Sequence, residues 1–119
     1  MKINFKVLKL KEGSKHYESL KRQYERAKSS NNFSGRKSLN EFILVGTEIV
    51  EGEEWYKVNQ LTDRGLVLIG DLKLDEIALS IPKEEFTWDG ESFNEIDLPK
   101  KYLSVDLLDN IEKLNSLED

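Results

Sequence analysis

His16 is the only histidine in the chain, and histidine is the side chain that changes protonation most readily near neutral pH. A catalytic histidine needs a nucleophile or an orienting carboxylate within hydrogen-bonding distance. The residues next to His16 supply neither, and its position falls at the edge of an apolar helical stripe. We therefore expect an ordinary boundary residue rather than a general base.

Carboxylates occur in short groups, and this residue type binds metal ions or performs acid–base chemistry. The groups are Glu51, Glu53 and Glu54; Glu84 and Glu85; and Asp89 and Glu91. Adjacent residues of a strand point to opposite faces, so neighbours in sequence do not form a shared site. The chain has no cysteine, no spacing typical of a calcium-binding loop and no phosphate-binding glycine loop. The sequence thus predicts no catalytic residue, no metal site, no cofactor and no enzymatic activity.

Charge is distributed unevenly along the chain, and this is the main functional signal in the sequence. Residues 1–40 contain 11 lysines and arginines against 3 acidic residues, whereas residues 41–119 contain 7 against 20. Such asymmetry suggests an electrostatic partner for one half, with mutual neutralisation of the two halves as the alternative. The candidate basic surface, the basic ridge, consists of Lys15, Arg22, Arg26, Arg36 and Lys37. The candidate acidic surface, the acidic ridge, consists of Asp106, Asp109 and Glu112.

Two amphipathic segments position these charges. Apolar residues recur at helical spacing between about residues 14 and 30, and again between about residues 104 and 117. Ser14 and Ser104 precede the two segments and are suitable N-caps. Arg36 and Lys37 fall in the Ser-, Asn- and Gly-rich loop that follows the first predicted helix.

The remaining segments predict an antiparallel sheet. Lys2–Leu10 alternates between apolar and polar residues, and its lysines favour an edge strand. Residues 42–74 read as a three-stranded meander, with a turn at Glu51–Glu54 and a third strand at Leu66–Leu74. Residues 75–98 remain open between strand and partly helical structure, although Asp89-Gly90 favours a short hairpin over about residues 85–96.

These elements predict one domain, residues 1–119, of the α+β class. Its mainly antiparallel sheet has about five to seven strands, and the two helices cover one face or one end. The alternative is a small curved β-barrel with two helices.

Segregated charge without a catalytic motif favours a small acidic non-enzymatic protein-binding module, such as an accessory, inhibitor or immunity-type protein, acting through charge-complementary contact. A nucleic-acid-binding protein that uses the basic ridge is the alternative. Pairing of the basic ridge of one copy with the acidic ridge of another would give a homo-oligomer. The N-terminal residues do not resemble a signal peptide, and no apolar run approaches the roughly 18 residues that span a bilayer. We therefore expect a cytoplasmic protein with no membrane partner.

Overall fold

Seven strands and two α-helices form the part of the chain that the structure describes. The computed structural model covers residues 1–29, 41–62, 65–66, 70–87 and 92–116, with backbone alone for residues 27–29, 62 and 65–66. In chain order the elements are β1 (Lys2–Leu10), α1 (Lys15–Ser29), β2 (Glu41–Val50), β3 (Glu53–Thr62), β4 (Gly65–Leu66), β5 (Leu79–Pro82), β6 (Phe86–Thr87), β7 (Phe93–Asp97) and α2 (Val105–Asn115). Single 3-10 turns occupy Lys83–Glu85 and Lys100–Tyr102.

The strands form one curled antiparallel sheet that resembles half of a barrel. Their order is β4-β3-β2-β1-β6, with β5 also pairing with β3 and β7 also pairing with β1. The predicted α+β class with a mainly antiparallel, curved sheet is confirmed.

β1 is an interior strand, and the prediction that it lies at an edge is wrong. It pairs with β2 on one side through residues 7–9 and with β6 and β7 on the other through residues 9–10 and 2–6. Lys6, which suggested an outer face, is only 1% exposed. The alternation identified the strand, but a lysine at a polar position does not reveal whether other chain segments cover it.

The β2–β3 hairpin is confirmed, with Glu51 and Gly52 as its two-residue turn. Both residues have positive φ, 50° for Glu51 and 83° for Gly52, which is the backbone of a type I′ turn. The pairing register shifts between Leu44 and Gly46, so Val45 is an extra residue in β2. Such a bulge bends its strand, and β2 pairs with β1 only at residues 41–43.

The predicted third strand of the meander, Leu66–Leu74, is mostly wrong. Of its described residues only Leu66 has strand geometry, residues 74–77 form a turn, and residues 67–69 lie outside the described part of the chain. Leu74 nevertheless lies in the core, because its N–H donates to the Tyr102 carbonyl at 2.8 Å and its own carbonyl accepts from Asn59 Nδ2 at 2.9 Å. The edge partner of residues 55–58 in β3 is instead β5.

The predicted hairpin of residues 85–96 is also wrong. β6 and β7 do not pair with each other; both pair antiparallel with β1 along the same side of that strand. Thr87 lies opposite Lys9, and the Ser92 carbonyl accepts the Val7 N–H. The turn at Asp89-Gly90 falls outside the described residues.

Two hydrophobic clusters lie on opposite faces of the sheet. Phe5 and Ile43 belong to the first cluster, together with Leu107 and Ile111 of α2. Phe42 and Tyr56 belong to the second, against which Tyr17 and Leu20 of α1 pack. Leu114 of α2 also belongs to this second cluster, so both helices pack on it, and α2 contributes to the first cluster as well. In the described part of the chain neither helix is long and apolar enough to cross a bilayer.

Candidate functional site

The acidic ridge lies on the outer side of α2. Ser104 caps this helix by accepting the Leu107 N–H at 3.0 Å, as the sequence predicts. Leu107, Ile111 and Leu114 are buried against the sheet, which leaves the opposite side of the helix in solvent. Asp106, Asp109 and Glu112 are all exposed there, and none forms an ion pair with a residue that the structure describes.

Val105 adds an apolar contact point to the acidic ridge. It is the first residue of α2 and is 75% exposed, the largest exposed fraction among the large apolar side chains of the described segments. Helical spacing places Val105, Asp109 and Glu112 nearly in line along the helix. The surface thus combines negative charge with one apolar side chain, and the sequence analysis did not identify Val105.

The basic ridge is only partly assembled in the described structure. Lys15 and Arg22 are exposed on α1, and neither makes an ion pair within the described segments. Arg26 is exposed as well and takes part in a further interaction. Arg36 and Lys37 lie outside the described residues. Lys15 and Arg22 therefore stay available to an external ligand, and mutual neutralisation by the described carboxylates does not involve them.

His16 and Glu85 join the start of α1 to the sheet. Glu85 accepts the His16 backbone N–H through Oε1 at 2.9 Å, and its Oε2 lies 2.7 Å from His16 Nδ1. Ser14 caps the same helix, because its hydroxyl accepts the Tyr17 N–H at 3.3 Å. The sequence offered no partner for His16, since Glu85 is distant in the chain. The pair orients the imidazole and ties α1 to the 3-10 turn that precedes β6.

A groove beside the β2–β3 hairpin brings together carboxylates that the sequence leaves separate. It has a volume of about 560 Å³ and is lined by Lys11, Glu53, Glu54, Pro82, Lys83, Glu84, Phe86 and Thr87. Lys83 Nζ lies 3.6 Å from Glu54 Oε2 and 6.0 Å from the centre of the Tyr56 ring. Tyr56, and to a smaller degree Glu54, raise the pKa of Lys83 above its ordinary value, while partial desolvation opposes them.

The groove is a mixed-charge surface. Glu53 and Glu54 come from β3, and Glu84 comes from the 3-10 turn that follows β5. Acidic groups of separate elements therefore lie along one groove. Among the described residues, no group of three or more histidine, cysteine or acidic side chains could hold a metal ion.

Comparison of the chain with protein-family models, with curated proteins and with solved structures finds no match.

Proposed function

We propose that this chain is a small acidic protein-binding module without enzymatic activity, of the accessory, inhibitor or immunity type, and that it acts in the cytoplasm. The observation that carries the proposal is the acidic ridge: Asp106, Asp109 and Glu112 are exposed together on a helix whose other side is fixed in the core. A rigid element that presents like charges fits a partner of opposite charge. The net charge of −5 acts in the same direction.

Binding would proceed in two stages. The acidic ridge attracts a positively charged protein surface over a distance of about 8–10 Å at physiological salt, which speeds encounter and orients the partner. Val105 then supplies apolar contact area that is buried on docking, because exposed charges at a rim contribute mostly to association rate rather than to lifetime. Steering by the ridge weakens as salt is added.

The test is affinity capture from native lysate, followed by mass spectrometry, with three versions of the chain. The ridge variant carries Asp106→Asn, Asp109→Asn and Glu112→Gln. The control carries Glu12→Gln, Glu18→Gln and Glu51→Gln, which removes the same charge from three other exposed carboxylates. We expect a partner protein to be recovered at low salt by the wild type and the control, and lost from the ridge variant and at high salt. Equal recovery by all three versions, or no recovery at low salt, would contradict the proposal.

Nucleic-acid binding is the second candidate, and the exposure of Lys15 and Arg22 favours it. Lysines and arginines on one helix face can contact successive phosphates. Fluorescence anisotropy with a labelled DNA duplex at low salt tests it, comparing the wild type with Lys15→Gln, Arg22→Gln and Arg26→Gln together. A control with Lys11→Gln, Lys73→Gln and Lys100→Gln has the same net charge. If the affinity for DNA falls equally in both variants, the loss reflects net charge alone, and α1 does not carry a nucleic-acid site.

The two ridges could also engage each other between copies. Contact of α1 in one copy with α2 in the next would build rings or open chains if it is head-to-tail, and a closed dimer if the two copies make it reciprocally. Light scattering at low and high salt measures this directly. A mass that is the same in both conditions and equal to one chain would reject self-association through the ridges.

A further inference from the structure

β7 forms an edge of the sheet. Two hydrogen bonds with β1 show which of its residues have backbone groups that face β1. The Val7 N–H donates to the Ser92 carbonyl, and the Leu98 N–H donates to the Met1 carbonyl, each at 2.8 Å. In an antiparallel pair the backbone groups of alternate residues point to the same side. Residues 92, 94, 96 and 98 therefore face β1. The N–H and C=O groups of Phe93, Glu95 and Asp97 face away from it.

The residues whose backbone groups face this outer side of β7 are exposed and have no strand partner among the described residues. In the described part of the chain β7 pairs with no strand except β1. Phe93 is 42% exposed, and Glu95 and Asp97 are also exposed. Five residues of strand span about 17 Å. Unpaired edge groups of this kind are a template on which another extended chain can pair.

Charge selects which chain can pair there. Glu95 lies at the centre of the edge, whereas Asp97 is already bound to the Met1 amino group at 2.8 Å. A second copy that paired β7 with β7 antiparallel about this centre would place Glu95 against Glu95, and like charges directly opposite are destabilising. The same carboxylate favours a lysine or arginine on an incoming strand.

We propose that the free edge of β7 accepts an extended segment of a basic partner protein as an added strand. The outward backbone groups of Phe93, Glu95 and Asp97 supply the hydrogen bonds. These bonds join main-chain atoms only, so they do not depend on the side chains of the partner. Glu95 pairs with a lysine or arginine of the segment. This site is separate from the acidic ridge, so either surface can bind without the other.

The probe is a fluorescein-labelled hexapeptide of alternating lysine and valine, measured by anisotropy and by amide chemical shifts of β7. Its matched controls are two versions of the same peptide, each with N-methyl groups on one of the two sets of alternate amides. Both keep the charge, and one of them lacks the donors that face β7. We expect the unmodified peptide to shift the amide signals of Phe93, Glu95 and Asp97. At least one N-methylated version should bind about tenfold more weakly, because hydrogen bonds of about 1 kcal/mol each are lost.

Two protein variants separate backbone pairing from charge. Glu95→Pro removes an outward N–H that β1 does not use, and proline is tolerated on an edge strand in this orientation. Glu95→Gln removes the charge alone. We expect Glu95→Pro to lose at least about tenfold in affinity, Glu95→Gln to lose less, and the acidic-ridge variant to bind as the wild type does. If Glu95→Pro does not fold, the N-methylated peptides give the answer alone.

The inference is overturned if both N-methylated peptides bind as tightly as the parent, if a glutamate–valine hexapeptide binds equally well, or if binding disappears in the acidic-ridge variant. The last result would place the peptide on α2 and support the proposed function while rejecting the β7 edge.

Discussion

Asn115 takes the place of a neighbouring strand beside Lys6. Its side-chain Oδ1 accepts the Lys6 backbone N–H at 3.1 Å, and its Nδ2 donates to the Asn4 carbonyl at 2.6 Å. These backbone groups of β1 point to the side on which β2 has turned away after its bulge at Val45. The last residue of α2 therefore satisfies the part of β1 that the bent sheet leaves unpaired.

Removal of this amide should destabilise the fold. In Asn115→Ala the Lys6 N–H and the Asn4 carbonyl lose their partner, and we expect the free energy of unfolding to fall by about 1–3 kcal/mol. Asn110→Ala is the matched control, because Asn110 lies on the same helix but is exposed. Urea denaturation of both variants measures the difference. A similar, small change in the two would show that water replaces the Asn115 amide without cost.

The features that the sequence predicted correctly depend on neighbours in the chain. Ser14 and Ser104 cap their helices because each N-cap side chain bonds to an N–H three residues later. The turn at Glu51-Gly52 follows from two alternating segments separated by turn residues. The exposure of Lys15 and of Asp106 follows from helical periodicity once the apolar side of each helix is known.

The features that the sequence missed depend on distant segments. Nothing near Phe93 indicates that β6 and β7 share one side of β1, because the Asp89-Gly90 sequence between them is typical of an ordinary hairpin turn. Leu74 has strand-like spacing, yet Asn59 and Tyr102 hold it in a turn. Val105 and the partner of His16 likewise became visible only when the packing of α2 and of the 3-10 turn was known.

Glu85 should control how firmly α1 is held. The side chains of α1 that pack against the second cluster, Tyr17 and Leu20, are only partly buried, and Glu85 adds two bonds to His16 at the start of the helix. In Glu85→Ala we expect faster hydrogen exchange throughout α1 with little change in β2 and β3, since local opening should become easier by about 1–2 kcal/mol. Glu84→Ala is the control, because Glu84 is adjacent and exposed. Equal exchange in both variants would show that Tyr17 and Leu20 hold the helix without Glu85.

The β2–β3 turn stores conformational strain at Glu51. Its φ of 50° is unfavourable for a residue with a long side chain, whereas asparagine adopts it more readily. We expect Glu51→Asn to raise the free energy of unfolding by about 0.5–1 kcal/mol and Gly52→Ala, at φ 83°, to lower it by about 1–2 kcal/mol. Glu51→Gln removes the same charge without relieving the backbone, so it isolates the conformational effect. Thermal unfolding of the three variants ranks their stabilities. If Glu51→Gln stabilises the protein as much as Glu51→Asn does, the effect is due to charge and not to the backbone.

Lys83 should report the electrostatics of the groove. Its pKa is raised above the ordinary 10.5, chiefly by Tyr56 and then by Glu54. A lysine whose pKa is raised on folding stabilises the folded state below pH 10.5, and this contribution disappears as the pH rises through the raised value. We therefore expect Glu54→Gln to lower the pKa of Lys83, and Tyr56→Phe to lower it further, in an NMR titration of the Lys83 side chain.

Glu53→Gln is the control, because Glu53 lines the groove but does not shift the pKa of Lys83. The stability difference between Glu54→Gln and the wild type should be present at neutral pH and vanish at strongly alkaline pH. A pKa of Lys83 that falls equally in Glu53→Gln would mean that the groove acts as a diffuse negative field rather than through the Glu54 contact.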